Sequence, residues 1–171
     1  VQTCALPISL RQRMEGDGVT LATGNAFELF GETIVCEDGR RIQGLGFWPT
    51  TAKRFSNLRY NELCLGNCGE HKIVGFKNQL SHSYGETGSP FLTMLTGSGL
   101  NPEEKEEGFH RGGFIATYLL GPLLPLNPQF ALSLLQKMAP EAEFAPLPYE
   151  DEAYRLRLEE LSRPDANHKD H

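Results

Sequence analysis

Val19-Thr20-Leu21-Ala22-Thr23-Gly24-Asn25-Ala26-Phe27-Glu28-Leu29-Phe30-Gly31 is the stretch on which the reading of this chain turns. Val19 to Thr23 is β-branched and apolar, the composition of a short buried strand. Gly24-Asn25 is a tight-turn pair. Ala26, Phe27, Leu29 and Phe30 begin a helix. A sharp strand-to-helix turn lifts one side chain clear of a sheet, which is why nucleophiles are found on such turns. Here the turn carries glycine and asparagine, with no Ser or Cys.

Upstream, Leu10 to Glu15 reads as the end of a helix stopped by Gly16-Asp17-Gly18. Val1 to Ser9 (VQTCALPIS) resembles a cloning or adapter translation and is set aside from fold reasoning, together with Cys4. A frayed native leader is the plainer alternative. Downstream, the helix after the turn is expected to run on through Ile34 and Val35. Cys36-Glu37-Asp38-Gly39 would end it, with Gly39 as the terminating residue. Ile42 to Gly46 reads as a glycine-punctuated connection, and Phe47 to Arg54 as extended, because Pro49 is poor inside a helix.

Asn57 to Leu65 alternates as a half-buried strand. Gly66 to Gly69 reads as a turn and Lys72 to Phe76 as the returning strand, an antiparallel hairpin. Gln79 to Pro90 is polar and turn-rich. Phe91 to Leu95 is a short strand. Asn101 to Gly108 is acidic and reads as solvated. Phe114 to Leu120 is almost wholly apolar, the mark of a strand covered on both faces, and Gly121-Pro122 breaks it. Asn127-Pro128 opens a helix by capping, with Ala131, Leu134, Leu135 and Met138 on one packed stripe. Glu150 to Glu152 begins a last helix with acids at its positive end, lined by Tyr154, Leu158 and Leu161.

The resulting expectation is an α/β domain over residues 10–148, after a non-native leader at 1–9. A C-terminal helix over 149–163 and a disordered tail over 164–171 follow. A chain of 171 residues suffices for one core. Its net charge of −6 argues against nucleic acid as a partner. No apolar run reaches the roughly eighteen residues of a membrane span. Four cysteines without an export signal point to reduced thiols and a cytoplasmic setting.

Three segments carry a family resemblance. Leu21-Ala22-Thr23-Gly24-Asn25-Ala26-Phe27-Glu28-Leu29-Phe30-Gly31 is similar to the pattern L-A-V-C-G-G-Y-Q-L-L-G. Val74-Gly75-Phe76-Lys77-Asn78-Gln79 is similar to V-G-F-E-N-H. Ile115 to Pro128 (IATYLLGPLLPLNP) is close to I-G-T-Y-L-H-G-P-L-L-P-K-N-P. These patterns are those of class I glutamine amidotransferase domains of the cobyric acid synthase type, and the resemblance spans about residues 10 to 138. Its nearest branch is the glutaminase subunits that supply ammonia to a Mur-ligase-like, ATP-dependent partner in lipid II amidation. The resemblance implies a three-layer, flavodoxin-like fold: a mostly parallel sheet, helices on both faces, a β-hairpin addition and, as an expectation, a truncated N-terminus. It implies glutamine as substrate and no cofactor.

The same comparison marks the departures. The family's nucleophilic Cys falls at Gly24, and its His base falls at Leu120. Amide hydrolysis through a thiolate needs both. The family's oxyanion-binding strand would lie upstream of Leu10. The resemblance therefore implies no catalytic residue here, and a substrate crevice where Gly24, Asn25, Asn78, Gln79 and Leu120 converge.

Other constellations have plainer readings. Cys64, Cys68 and His71 lie at a hairpin turn with metal-ligand spacing, and Cys36 or His82 would have to complete the set. No second C-x-x-C pair accompanies them, so incidental thiols are the favoured reading. A relocated nucleophile at Cys36, Cys64 or Cys68, with His82 or His110 as base, would keep the chain an active glutaminase. Gly97-Ser98-Gly99 has the look of an anion-binding nest but lacks a phosphate loop's Lys and Ser/Thr, so a plain turn is favoured. The functional expectations are thus a hydrolysis-deficient amidotransferase-like subunit, an active glutaminase with a rearranged nucleophile, or a structural or regulatory interaction module.

Overall fold

The computed structural model describes residues 5–16, 18–55 and 59–163. Along the chain these form α1 (Ala5–Glu15), β1 (Thr20–Thr23), α2 (Ala26–Phe30), β2 (Thr33–Val35), β3 (Arg41–Gln43) and β4 (Thr51–Arg54). Then come β5 (Tyr60–Cys68), β6 (His71–Gln79), β7 (Ser81–Tyr84), β8 (Leu92–Thr96), β9 (Glu106–Glu107), β10 (Phe109–Arg111) and β11 (Phe114–Thr117). The helices α3 (Pro128–Met138) and α4 (Pro148–Leu161) close the described chain.

The strands make three sheets, in the orders β1-β11-β10, β3-β2-β4-β7 and β6-β5-β8-β9. Among the described residues only β1 with β11 and β2 with β4 are parallel, and every other strand pairing is antiparallel. The expected α/β composition is present, but the expected mostly parallel central sheet is not what the described residues form. Parallel neighbours need crossovers of a dozen or more residues, whereas short turns return the chain beside itself.

β11 divides the interior. Ile115 projects into a core built on Phe91, Leu92, Phe130 and Leu134. Phe114 and Ala116 project the other way, against Phe27, Phe30, Trp48 and Phe109. All four residues of β11 are buried, so the near-continuous apolar run read from the sequence is a strand covered on both faces. The aromatic side is closely stacked, with Trp48 and Phe109 centroids 4.7 Å apart and Phe27 and Tyr118 centroids 4.9 Å apart.

α1 begins at Ala5, so residues 5–9 lie within the helix whose Met14 is buried and whose Arg11 donates to the Gly46 carbonyl at 3.0 Å. Several expectations are corrected. The helix after the turn stops at Phe30. Gly31 leaves the helix in an extended conformation, and a Cβ there would lie 2.5 Å from Thr50 Oγ1. The β-branched run Thr33–Val35 instead pairs with β3 and β4. Cys36 to Gly39 is accordingly a hairpin turn rather than a helix end. The Cys36 N–H donates to the Arg40 carbonyl at 2.8 Å, and Gly39 takes φ +80.

The β5–β6 hairpin forms from Tyr60 onward, Asn57 and Leu58 lying outside the described residues; β5 continues to Cys68 and the turn sits at Gly69-Glu70. The polar stretch 79–90 contains β7, whose Ser81, His82 and Ser83 are buried by pairing with β4. On α3 the packed residues are Phe130 and Leu134; Leu135 and Met138 are exposed. Asn127 makes no cap. Its side chain clasps Val74, accepting from the Val74 N–H at 2.8 Å and donating to the Val74 carbonyl at 2.7 Å. The last helix packs Tyr154, Leu158 and Leu161 on Leu65 and Val74, as its stripe predicts. Cys4 and the tail at 164–171 lie outside the described residues.

Candidate functional site

β1 and β11 run parallel in the register Thr20 to Phe114 through Thr23 to Thr117. Both strands therefore end at one level, the edge where open α/β sheets place their ligand crevices. Gly24 leaves β1 with φ +62, in the left-handed region that favours glycine. The turn then closes quickly into α2, with Phe27 N–H donating to the Gly24 carbonyl at 3.1 Å and Glu28 N–H to the Asn25 carbonyl at 3.2 Å. This is a strand-elbow-helix.

Leu120 lies directly against the elbow. A Cβ built on Gly24 would come 2.6 Å from Leu120 Cδ2 and 3.7 Å from Leu120 Cγ. Gly24 is buried beneath it and Leu120 is half-buried. On its other side the Leu120 N–H donates to the Phe76 carbonyl at 2.8 Å, an antiparallel bridge. The three motif segments thus meet at one point: the first and third through the β1–β11 ladder, the second and third through Phe76 and Leu120.

Two buried carboxylates hold this corner. Glu107 accepts from Thr117 Oγ1 at 2.7 Å and from the Tyr118 N–H at 2.8 Å. Thr117 Oγ1 in turn accepts from the Leu119 N–H at 3.1 Å. The trace from Thr117 to Leu119, which carries Leu120, is therefore pinned by a fully buried carboxylate. This corrects the reading of residues 103–107 as a solvated face, since Glu103, Glu104 and Glu106 are exposed but Glu107 is not. A two-residue strand leaves no periodic signal by which the sequence could single it out. Glu28, on α2, accepts from Ser81 Oγ at 2.6 Å and from Arg54 Nε at 3.1 Å. Burial, with the Glu28 carboxylate beside it, pushes the Tyr118 phenol far above its ordinary range, so it stays protonated and shares a 2.7 Å hydrogen bond with Ser83 Oγ.

The remaining expected residues are more dispersed. Asn25 is exposed and its side chain caps nothing. Asn78 is half-buried and faces Asn61 across the β5–β6 pair. Gln79 is buried; its Nε2 donates to the Ser81 carbonyl at 2.7 Å and its Oε1 has no partner. Among the described residues no hydrogen bond joins Asn78 or Gln79 to the elbow.

Three thiols lie among the described residues, Cys36, Cys64 and Cys68. Cys64 is fully buried and burial pushes its thiol up to about 12, where almost no thiolate forms at neutral pH. Cys68 is half-buried and its thiol is also raised by burial. Cys36 sits at the β2–β3 turn. His82 packs its ring on Tyr60 and Phe55, at centroid distances of 4.1 and 5.3 Å. His110 lies with a ring nitrogen 3.2 Å from the Gly112 carbonyl. Among the described residues no hydrogen bond pairs a cysteine with a histidine. No group of three or more His, Cys, Asp or Glu side chains is placed there to hold a metal ion, so Cys64, Cys68 and His71 do not assemble as ligands. At Gly97–Gly99 the Ser98 N–H and Oγ both donate to Glu62 Oε2, at 2.9 and 2.7 Å. The suspected nest is thus occupied by the chain's own carboxylate.

Two adjacent parallel strands, the first ending in a glycine elbow and the second in a residue packed on it, share the layout of a nucleophile-elbow hydrolytic centre. At these two positions stand Gly24 and Leu120, whose side chains offer neither a nucleophile nor a proton acceptor. The chain is 31% identical over 121 residues to the lipid II isoglutaminyl synthase (glutamine-hydrolyzing) subunit GatD of Staphylococcus aureus (strain N315), covering 70% of this chain and 48% of that protein. It is 28% identical over 134 residues to the subunit of the same name from Streptococcus pneumoniae (strain ATCC BAA-255 / R6), covering 74% of this chain and 50% of that protein. The chain thus spans about half the length of these curated relatives. No family model matches it. No described helix is long and apolar enough to cross a membrane.

Proposed function

We propose that this chain is a glutamine amidotransferase-like subunit of the kind used in lipid II amidation, and that its glutaminase centre no longer hydrolyses glutamine. The observation that carries the reading is that Leu120 stands over Gly24 at the ends of β1 and β11, where a Cβ on Gly24 would lie 2.6 Å from Leu120 Cδ2. Glycine offers no nucleophile and leucine accepts no proton, so acyl transfer from a glutamine amide has neither of its partners. The space where the two groups would work is filled by the Leu120 side chain. The similarity to the two GatD subunits supports the class. The parallel pairs β1–β11 and β2–β4 support a class I amidotransferase core of the cobyric acid synthase type within the mixed sheets.

In this reading the chain keeps a docking role beside a Mur-ligase-like, ATP-dependent synthase in the cytoplasm, and Asn25, Asn78 and Gln79 line what is left of the glutamine crevice. The test is a glutaminase assay on the purified chain mixed with that synthase. Ammonia stays at the level of the synthase alone. Glutamine-dependent ammonia release that requires this chain would overturn the proposal.

A further inference from the structure

We infer that the outer face of the β2–β3 hairpin is a binding site for a short peptide, two or three residues long, with both ends free. An open surface depression of about 570 Å³ lies there. Neither Gly24 nor Leu120 lines it, so the inference stands apart from the elbow.

The register places Thr33 opposite Gln43 and Val35 opposite Arg41. Alternation along a strand therefore projects Thr33, Gln43 and Arg41 from the same face, while Ile34 points into the core and is 1% exposed. Beyond Gln43 the chain forms a fixed floor. The N–H groups of Gly44, Leu45 and Gly46 donate to the carbonyls of Glu32, Leu29 and Gly31 at 2.9, 2.8 and 2.9 Å. A Cβ on Gly44 would lie 2.1 Å from the Gly31 carbonyl oxygen, so only glycine brings the floor this close.

The charges sit at opposite ends. Gly44 is bonded to Glu32, and Arg41 lies three strand steps away, about 10 Å along the backbone. Both side chains are exposed, and neither is engaged in an ion pair among the described residues. An extended peptide of two or three residues spans about 7–10 Å. Its carboxylate would meet the Arg41 guanidinium as a bidentate pair. Its ammonium would meet Glu32, and Thr33 and Gln43 would serve the amides between.

The test titrates triglycine into the isotope-labelled full chain and follows backbone amide shifts by NMR. Saturable shifts confined to residues 32–46 are expected. Arg41→Gln should weaken binding roughly tenfold, the size of one lost charge-assisted contact. N-acetyltriglycine should bind roughly tenfold more weakly than triglycine, and Glu32→Gln should close that gap. Both substitutions are on exposed side chains, so the fold is retained. Non-saturating shifts, or shifts elsewhere, overturn the site. Unchanged affinity in Arg41→Gln does the same. A gap that survives Glu32→Gln overturns the two-ended mode of binding.

Discussion

The centre of the elbow and the layer beneath it have diverged in character. At the centre, Gly24 and Leu120 form an apolar contact with no titratable atom. Directly beneath, Glu107, Glu28, Thr117, Ser81, Ser83 and Tyr118 are buried and every one is hydrogen-bonded. Burying a carboxylate is costly unless its lone pairs are satisfied. A polar layer of that kind persists because the strands and turns depend on it, whatever chemistry takes place above. The constraint at the centre is of another kind: the backbone at Gly24 takes φ +62 and leaves no room for a Cβ beneath Leu120. The contrast separates what the scaffold needs from what catalysis would need.

The largest expected effect comes from breaking the lower layer. Glu107→Ala leaves the Tyr118 N–H and the Thr117 hydroxyl without their buried acceptor. It should destabilise the fold by about 3 kcal/mol in urea unfolding. A loss below about 1 kcal/mol would mean that the carboxylate is not what pins residues 117–119.

A smaller effect, and one that tests the contact itself, is expected at the centre. Gly24→Ala introduces a Cβ both at φ +62 and 2.6 Å from Leu120 Cδ2. It should cost about 1–3 kcal/mol. Leu120→Ala removes the obstructing methyl groups, so the double variant should be more stable than the sum of the single losses by about 1 kcal/mol. Strict additivity would show that the two side chains do not compete for one space.

The smallest effect concerns the histidine that the elbow does not use. Burial lowers the pKa of His82 below its ordinary 6.5. The folded state therefore favours neutral imidazole. The stability this contributes is present above pH 6.5 and is lost as pH falls through the depressed folded value. His82→Phe should flatten the fall in melting temperature between neutral and mildly acidic pH. An unchanged slope would assign it to other groups, His110 among them, which burial also lowers.

Legibility in the sequence followed periodicity. The elbow, the β5–β6 hairpin, β8, β11, α3 and α4 all carry alternation, apolar runs or helical stripes long enough to read. β2, β3, β7 and β9 are two to four residues long and partly polar, and their places are set by pairing with neighbouring strands rather than by any pattern of their own. Asn127 shows the same limit at one residue. Its position before Pro128 signals a cap, yet Val74, 53 positions distant, claims the side chain. At the candidate site the sequence comparison found Gly24 and Leu120. It missed Glu107, because an acid in an acidic run looks solvated until its neighbours in space are known.

The most direct test of the blank centre is covalent. The chain, with its proposed synthase partner present, is incubated with 6-diazo-5-oxo-L-norleucine, a glutamine analogue that alkylates amidotransferase nucleophiles. Its intact mass is then measured. The account predicts an unmodified chain. A stoichiometric adduct mapping to Cys36, Cys64 or Cys68 would contradict it.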